Sequence, residues 1–255
     1  MARLNLDRKL YMLESLTITE LALALGVLVV AYLVRGITGF GSGLIAIPIL
    51  ALMLPITLVV PMIGLLDYTA SLSHGVSHRR SIQWREIIPL LPFTIIGVLS
   101  ALYIFKTVDG ELLKQILGGF ILLYAFYSLF GRNPHGGFSR KWSVIGGGFG
   151  GLVGTLFGTG GPFYVIYLQL RGLDKTAFRA TIATIFMLDG AARIVGYGVS
   201  GFYKMDTIIL VLVSLPVMAV AMYVGGHIHT NISQESFKRA IGIVLLGSGT
   251  ALLLN

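Results

Sequence analysis

Two stretches decide the fold of this chain: Arg35-Gly36-Ile37-Thr38-Gly39-Phe40-Gly41-Ser42-Gly43-Leu44 and Gly154-Thr155-Leu156-Phe157-Gly158-Thr159-Gly160-Gly161-Pro162. Both are glycine-rich, and both interrupt sequence apolar enough for a membrane. Lipid offers no hydrogen bonds to bare backbone, so a helix broken at bilayer depth must be surrounded by protein or face a wet cavity. Two such breaks in matching places of two half-chains point to the substrate site of a transporter.

The composition agrees with a membrane setting. The 255 residues are 55% hydrophobic and 12% charged, whereas a soluble domain carries about 25% charged residues. The mean hydropathy is +0.86. Glycine is abundant at 33 residues, which suits close helix packing in lipid. The net charge of +8 is scattered through short loops, so it reads as a topology signal and not as a nucleic-acid footprint. The absence of cysteine excludes disulfides, thiolate metal sites and thiol chemistry. No removable signal peptide is read at the N-terminus.

Hydropathy divides the chain into an N-terminal extension (1–17), a first membrane repeat (18–130), a basic linker (131–141) and a second membrane repeat (142–255). In the first repeat Ile18–Val34 precedes the glycine motif, and Leu44–Leu54, Leu58–Val76, Glu86–Phe105 and Glu111–Phe130 follow it. The second repeats the order with Trp142–Phe157, Phe163–Leu170, Thr176–Val199, Asp206–His227 and Glu235–Leu254. Val108–Gly118 parallels Ile232–Gly242 as a capped helix start with an early Glu, and Leu91-Pro92 matches Leu215-Pro216, with a kink expected at each proline. The fold expected is an all-α polytopic membrane protein with about 8–10 helical segments. The segments after the glycine motifs are too short to span: 11 residues from Leu44 to Leu54 make roughly 16 Å of helix. They read as re-entrant or broken helices. Arg79, Arg80 and Arg85, the linker, and Arg171, Lys175 and Arg179 fall on one side if the repeats are inverted, and inversion is favoured over a parallel arrangement. Trp84, Trp142 and Tyr203 stand at segment edges as interfacial anchors.

The chemistry available is that of anion binding. A helix N-terminus presents free N–H groups and a partial positive charge. Gly41, Gly43, Gly158, Gly160 and Gly161 let backbone approach a ligand, with Thr38 alongside, and the Ser42 and Thr159 hydroxyls can donate. The alternative reading of these glycines is tight helix packing alone. Asp67, His74, Asp189 and Arg193 lie inside spans, where a charge costs about 2.5–3.5 kcal/mol or more and needs a partner or water. Asp189 and Arg193 are four apart on one helix face, so an ion pair is available. Asp67, His74 and Asp189 read as proton- or cation-coupling sites and Arg193 as an anion contact, against a purely structural pair. Arg35 either draws an anion to the half-helix end or snorkels to the interface. It has no basic equivalent in the second copy, where Leu152 or Val153 falls. A metal site at His227 and His229 is not expected, since that spacing does not share a helix face.

The Gly-Phe-Gly-Ser-Gly-Leu-Ile-Ala-Ile-Pro stretch at 39–48, Phe-Gly-Thr-Gly-Gly-Pro at 157–162 and His-Arg-Arg at 78–80 before Trp84 resemble the sulfite exporter TauE/SafE family. The likeness runs from about residue 18 to the end, although the family's triple-glycine core is Gly41-Ser42-Gly43 here. It implies a multi-pass permease of the bacterial or archaeal cytoplasmic (inner) membrane that moves small sulfur-containing anions such as sulfite or sulfonates. No cofactor is called for, and the partners are the anionic substrate and membrane lipid, not nucleic acid. Enzyme motifs are absent, and no polar stretch is long enough for a nucleotide domain, so a gradient of substrate, proton or cation drives transport. The alternatives are a channel, a permease for another small anion or carboxylate, or an intramembrane aspartyl protease built on Asp67 and Asp189.

Overall fold

The first helix opens on a reciprocal cap. The Thr17 hydroxyl accepts the Glu20 N–H, and the Glu20 carboxylate accepts the Thr17 N–H. A computed structural model describes residues 17–39, 41–74, 79–130, 139–228 and 234–254. The extension up to residue 16, Phe40, the linker from 131 to 138, Ser233, His229 and the side chain of His74 lie outside the described residues. Every regular element described is helical: α1 (Ile18–Thr38), α2 (Ser42–Leu50), α3 (Ile56–His74), a single turn α4 (Trp84–Ile87), α5 (Leu91–Thr107) and α6 (Gly110–Phe130). There follow α7 (Ser143–Phe157), α8 (Gly161–Leu170), α9 (Lys175–Val199), α10 (Met205–His227) and α11 (Gln234–Leu254).

The short helix expected over Leu44–Leu54 runs from Ser42 to Leu50, and two further differences from expectation have a physical reason. Helix α1 runs through Arg35 and Gly36 to Thr38, and the break comes at Gly39, whose N–H bonds the Arg35 carbonyl. The segment expected from Glu86 is divided into α4 and α5. Pro92 sits in the first turn of α5, where its missing N–H is no loss, so it starts a helix and does not kink one. Pro216 is different: it lies inside α10, which continues past it.

Among the described residues, Thr19–Thr38, Thr176–Val199 and Met205–His227 are long and apolar enough to cross a membrane. Ile56–Leu72, Leu91–Thr107 and Gly242–Leu254 are shorter apolar helices. Their outer faces are greasy: Leu99, Leu123 and Val220 are each more than half exposed. Water would penalise such a surface and lipid does not. The short helix α2 is the opposite case, with every residue buried except Ile49.

Helices pair across the two halves of the chain: α5 packs on α7, α10 on α1, and α6 on α11. Glycine makes the closest crossings. A Cβ on Gly151 would overlap the Thr94 carbonyl oxygen, and one on Gly36 would lie 2.6 Å from the Met222 carbonyl oxygen. Van der Waals contact of this kind drives association where lipid removes any hydrophobic gain. The pairing leaves α2, α3, α8 and α9 inside, with α3 crossing α9 where Gly190 meets the Tyr68 ring.

Candidate functional site

The glycine motifs break both helices as backbone geometry requires. Gly39 and Gly41 have φ of 85° and 96°, a left-handed conformation that favours glycine, and α2 starts immediately at Ser42. Helix α7 ends on left-handed Gly158 (φ 64°), whose N–H bonds the Gly154 carbonyl, and α8 starts at Gly161 with Pro162 in its first turn. The two breaks face each other. A Cβ on Gly43 would lie 2.9 Å from the Gly158 carbonyl oxygen, and one on Gly158 would overlap the end of the Ile47 side chain. Gly160 presses its backbone on α7, and Gly161 lies against the Phe186 ring.

Each break carries an aspartate, an arginine and a tyrosine. Beside the first, Asp67 Oδ1 accepts from Tyr32 (2.9 Å) and Ser42 (2.7 Å) and lies 3.0 Å from Arg35 Nη1. Arg35 also donates to the Ser42 hydroxyl, the Asp67 carbonyl and the Ser71 hydroxyl at 2.8–2.9 Å. Its side chain is 11% exposed. Arg35 therefore turns inward and does not snorkel. Thr38 returns its hydroxyl to the Val34 carbonyl on its own helix.

Beside the second break, Asp189 is buried, accepts from Tyr164 through Oδ1 (3.1 Å), and has Oδ2 3.0 Å from Arg193 Nε. Arg193 Nη1 donates to the Gly154 carbonyl at 2.8 Å. The satisfaction here is less complete. Arg193 Nε is too poorly aligned with Asp189 for a hydrogen bond, and among the described residues the buried Thr155 and Thr159 hydroxyls have no partner. Buried polar groups are normally paired, so unpartnered donors beside a helix N-terminus suit an anion.

Nothing in the sequence distinguishes Tyr32 and Tyr164, because a tyrosine in an apolar run resembles any lipid-facing aromatic. Tyr203 turns inward against Tyr197 with its hydroxyl buried, so it is no interfacial anchor. A groove of about 790 Å³ between α3 and α10, lined by residues such as Leu215, Met218 and Tyr223, shares no residue with either cluster and suits an acyl chain better than an anion. Among the described residues no three metal-ligating side chains come together.

A third charged cluster lies outside the spans. Glu86 on α4, 6% exposed, accepts from Arg171 Nε (2.8 Å), Tyr167 (2.9 Å) and Arg140 Nε (3.1 Å). Arg140 precedes α7 and Arg171 caps α8, so both outer ends of that helix pair meet one carboxylate. In the sequence Glu86 stands only as the first residue of an expected span, with no partner in view. An acidic side chain entering an apolar run, which always needs a partner, was the available signal. Burial alone would raise its pKa, but the hydrogen bonds from Arg171, Tyr167 and Arg140 outweigh this and hold the carboxyl below its ordinary 4.5. A depressed carboxylate contributes stability above its unfolded value and loses it as pH falls through its folded value. Glu86→Gln thus lowers the melting temperature in detergent at neutral pH. The cost is about 3 kcal/mol, the lower end for a broken buried pair, because Arg140 is half exposed. The gap from wild type narrows as pH drops below 4.5. A gap that stays constant however far pH is lowered below 4.5, while both proteins still fold, would show that the charge is not what holds these segments.

Comparison with known proteins identifies the family. Residues 23–252 match the family model described as Sulfite exporter TauE/SafE. The chain is 27% identical over 197 residues to the probable inner membrane transporter protein TsaS of Comamonas testosteroni, covering 75% of this chain and 81% of that protein. It is 25% identical over 234 residues to the probable sulfite/organosulfonate exporter TauE of Cupriavidus necator, covering 86% of this chain and 88% of that protein. No solved structure matches it. Helical, apolar on its outer faces and matched over nearly all its length, the chain is a membrane transporter and not an enzyme, and it belongs to the sulfite exporter TauE/SafE family.

Proposed function

We propose that the protein moves a small sulfur-containing anion, such as sulfite or a sulfonate, across the cytoplasmic membrane by alternating access. The observation that carries this reading is the meeting of the two glycine breaks, Gly43 against the Gly158 carbonyl, with an aspartate–arginine–tyrosine group beside each. The anion sits between the breaks. The N–H groups at the start of α8, the Thr159 hydroxyl, Arg193 and the first-break residues Ser42 and Gly43 face it. The alternating-access part rests on two inverted repeats, each with a re-entrant helix pair. Supporting it, Arg140 and Arg171 bring the start of α7 and the end of α8 to the same carboxylate, so that pair leaves and returns on one side.

Each arginine is neutralised by its aspartate, so an anion must compete with a carboxylate. Protonation of Asp189 releases Arg193 to the anion, and proton and solute are then bound together. The names of the relatives, an inner membrane transporter and a sulfite/organosulfonate exporter, favour this substrate class and membrane.

The test is thermal stabilisation of purified protein by sulfite, thiosulfate, sulfonates and carboxylates, followed by flux in proteoliposomes. A ligand at 100 times its dissociation constant adds about 2.7 kcal/mol of stability. Sulfur anions are expected to stabilise the protein and to move. Stabilisation by carboxylates alone, or unitary currents in voltage-clamped bilayers, would overturn the reading.

A further inference from the structure

We propose that Arg35 and Arg193 occupy one and the same post in the two halves, delivered from opposite hosts, and that transport requires a guanidinium at each post and not the residue that carries it. The caps give the correspondence. Arg35 lies four residues before Gly39 and its carbonyl accepts the Gly39 N–H; Gly154 lies four before Gly158 and its carbonyl accepts the Gly158 N–H. Gly154, and neither Leu152 nor Val153, is therefore the counterpart of Arg35. On the other side, Ser71 follows Asp67 by four residues and Arg193 follows Asp189 by four.

In the first half the guanidinium comes from the broken helix and donates to the Ser71 hydroxyl at 2.8 Å. In the second it comes from the aspartate helix and donates to the Gly154 carbonyl at 2.8 Å. Both bridge the same two positions, beside an aspartate whose Oδ1 accepts from a buried tyrosine. A buried pair kept only for packing is replaceable by apolar residues at little cost. Two pairs retained while the host changes sides point to the charge itself.

The two posts differ in how fully they are satisfied. Arg35 is engaged by Ser42, Ser71 and Asp67, whereas Arg193 Nε and the Thr159 hydroxyl have no aligned acceptor among the described residues. In a cycle that exchanges the conformations of the halves, the saturated and the open cluster trade places. That step rests on the alternating-access reading above; the equivalence of the posts does not.

Second-site arginines test the proposal. Arg35→Gly and Arg193→Ser are each measured alone, then as Arg35→Gly with Ser71→Arg and Arg193→Ser with Gly154→Arg. A Cβ at Gly154 has ordinary contacts, 3.5 Å and beyond, so the new side chain has room to start. The readouts are melting temperature of the purified protein and sulfite flux in proteoliposomes. Each single variant loses both, and its second-site arginine restores both, with a coupling of at least about tenfold in flux. If Arg35→Gly gives no folded protein, recovery of folded protein by Ser71→Arg supports the proposal in the same way. Failure of the second arginine to recover melting temperature or folded protein overturns the equivalence of the posts. Recovered stability without recovered flux overturns the transport requirement. If wild type moves no sulfite, the proposed substrate falls, and the melting arm still decides the posts.

Discussion

Arg193→Gln stops sulfite flux in proteoliposomes while the protein still elutes as a folded peak. Losing a buried, charged hydrogen bond to the solute costs about 2–5 kcal/mol of binding, so flux at low sulfite falls roughly 30-fold or more. The loss has two sources. Gln cannot offer a charged donor to the solute, and Asp189, 3% exposed, is left without its cation. The neutral double variant Arg193→Gln with Asp189→Asn separates them: it recovers the melting temperature and stays inactive. Asp189→Asn alone gives the complementary result. With its carboxylate gone, Arg193 is permanently free for an anion, so a sulfonate, whose own charge does not change over the range tested, stabilises this variant more than wild type and the pH dependence that comes from Asp189 is lost. Wild-type flux in Arg193→Gln would remove Arg193 from the site.

What the sequence reveals here is what is local. The Asp189–Arg193 pair is four residues long on one helix, and its geometry follows from the helical repeat. The helix breaks are local as well, because Gly39, Gly41 and Gly158 adopt backbone angles that other residues avoid. The Arg35–Asp67 pair spans 32 residues and two helices, and nothing in the spacing announces it. It is also masked by the exchange of hosts. Aligning the apolar residues sets Arg35 opposite Leu152 or Val153, whereas aligning the helix ends at Gly39 and Gly158, which the cap hydrogen bonds identify, sets it opposite Gly154. Glu86 escaped for a related reason. Its partners Arg140 and Arg171 come from segments 54 and 85 residues away, which only the tertiary fold brings together.

The meeting of the two breaks predicts a specific pattern of steric rescue. Gly158→Ala places a methyl on the tip of the Ile47 side chain, and Gly158 is left-handed, which costs an L residue about 1–2 kcal/mol besides the overlap. Ile47→Val removes the Cδ1 atom that is struck, at its own cost of about 0.5–1.5 kcal/mol. The double variant therefore melts above Gly158→Ala alone, although below wild type. Gly160→Ala has no such remedy. Its methyl meets the Gly150 carbonyl oxygen and, at 2.9–3.0 Å, the Gly154 Cα and N, all of them α7 backbone. No rotamer relieves that contact, so α7 and α8 must move apart. The cost exceeds about 3 kcal/mol, the upper end for overpacking, and flux is lost with the turn that would hold the anion. Ile47→Val has no effect on Gly160→Ala, since Ile47 is not among the atoms struck. Melting curves of the four variants in detergent decide the matter. Equal melting temperatures for Gly158→Ala with and without Ile47→Val would mean that α2 does not reach the second break, and the shared anion seat would have no first wall.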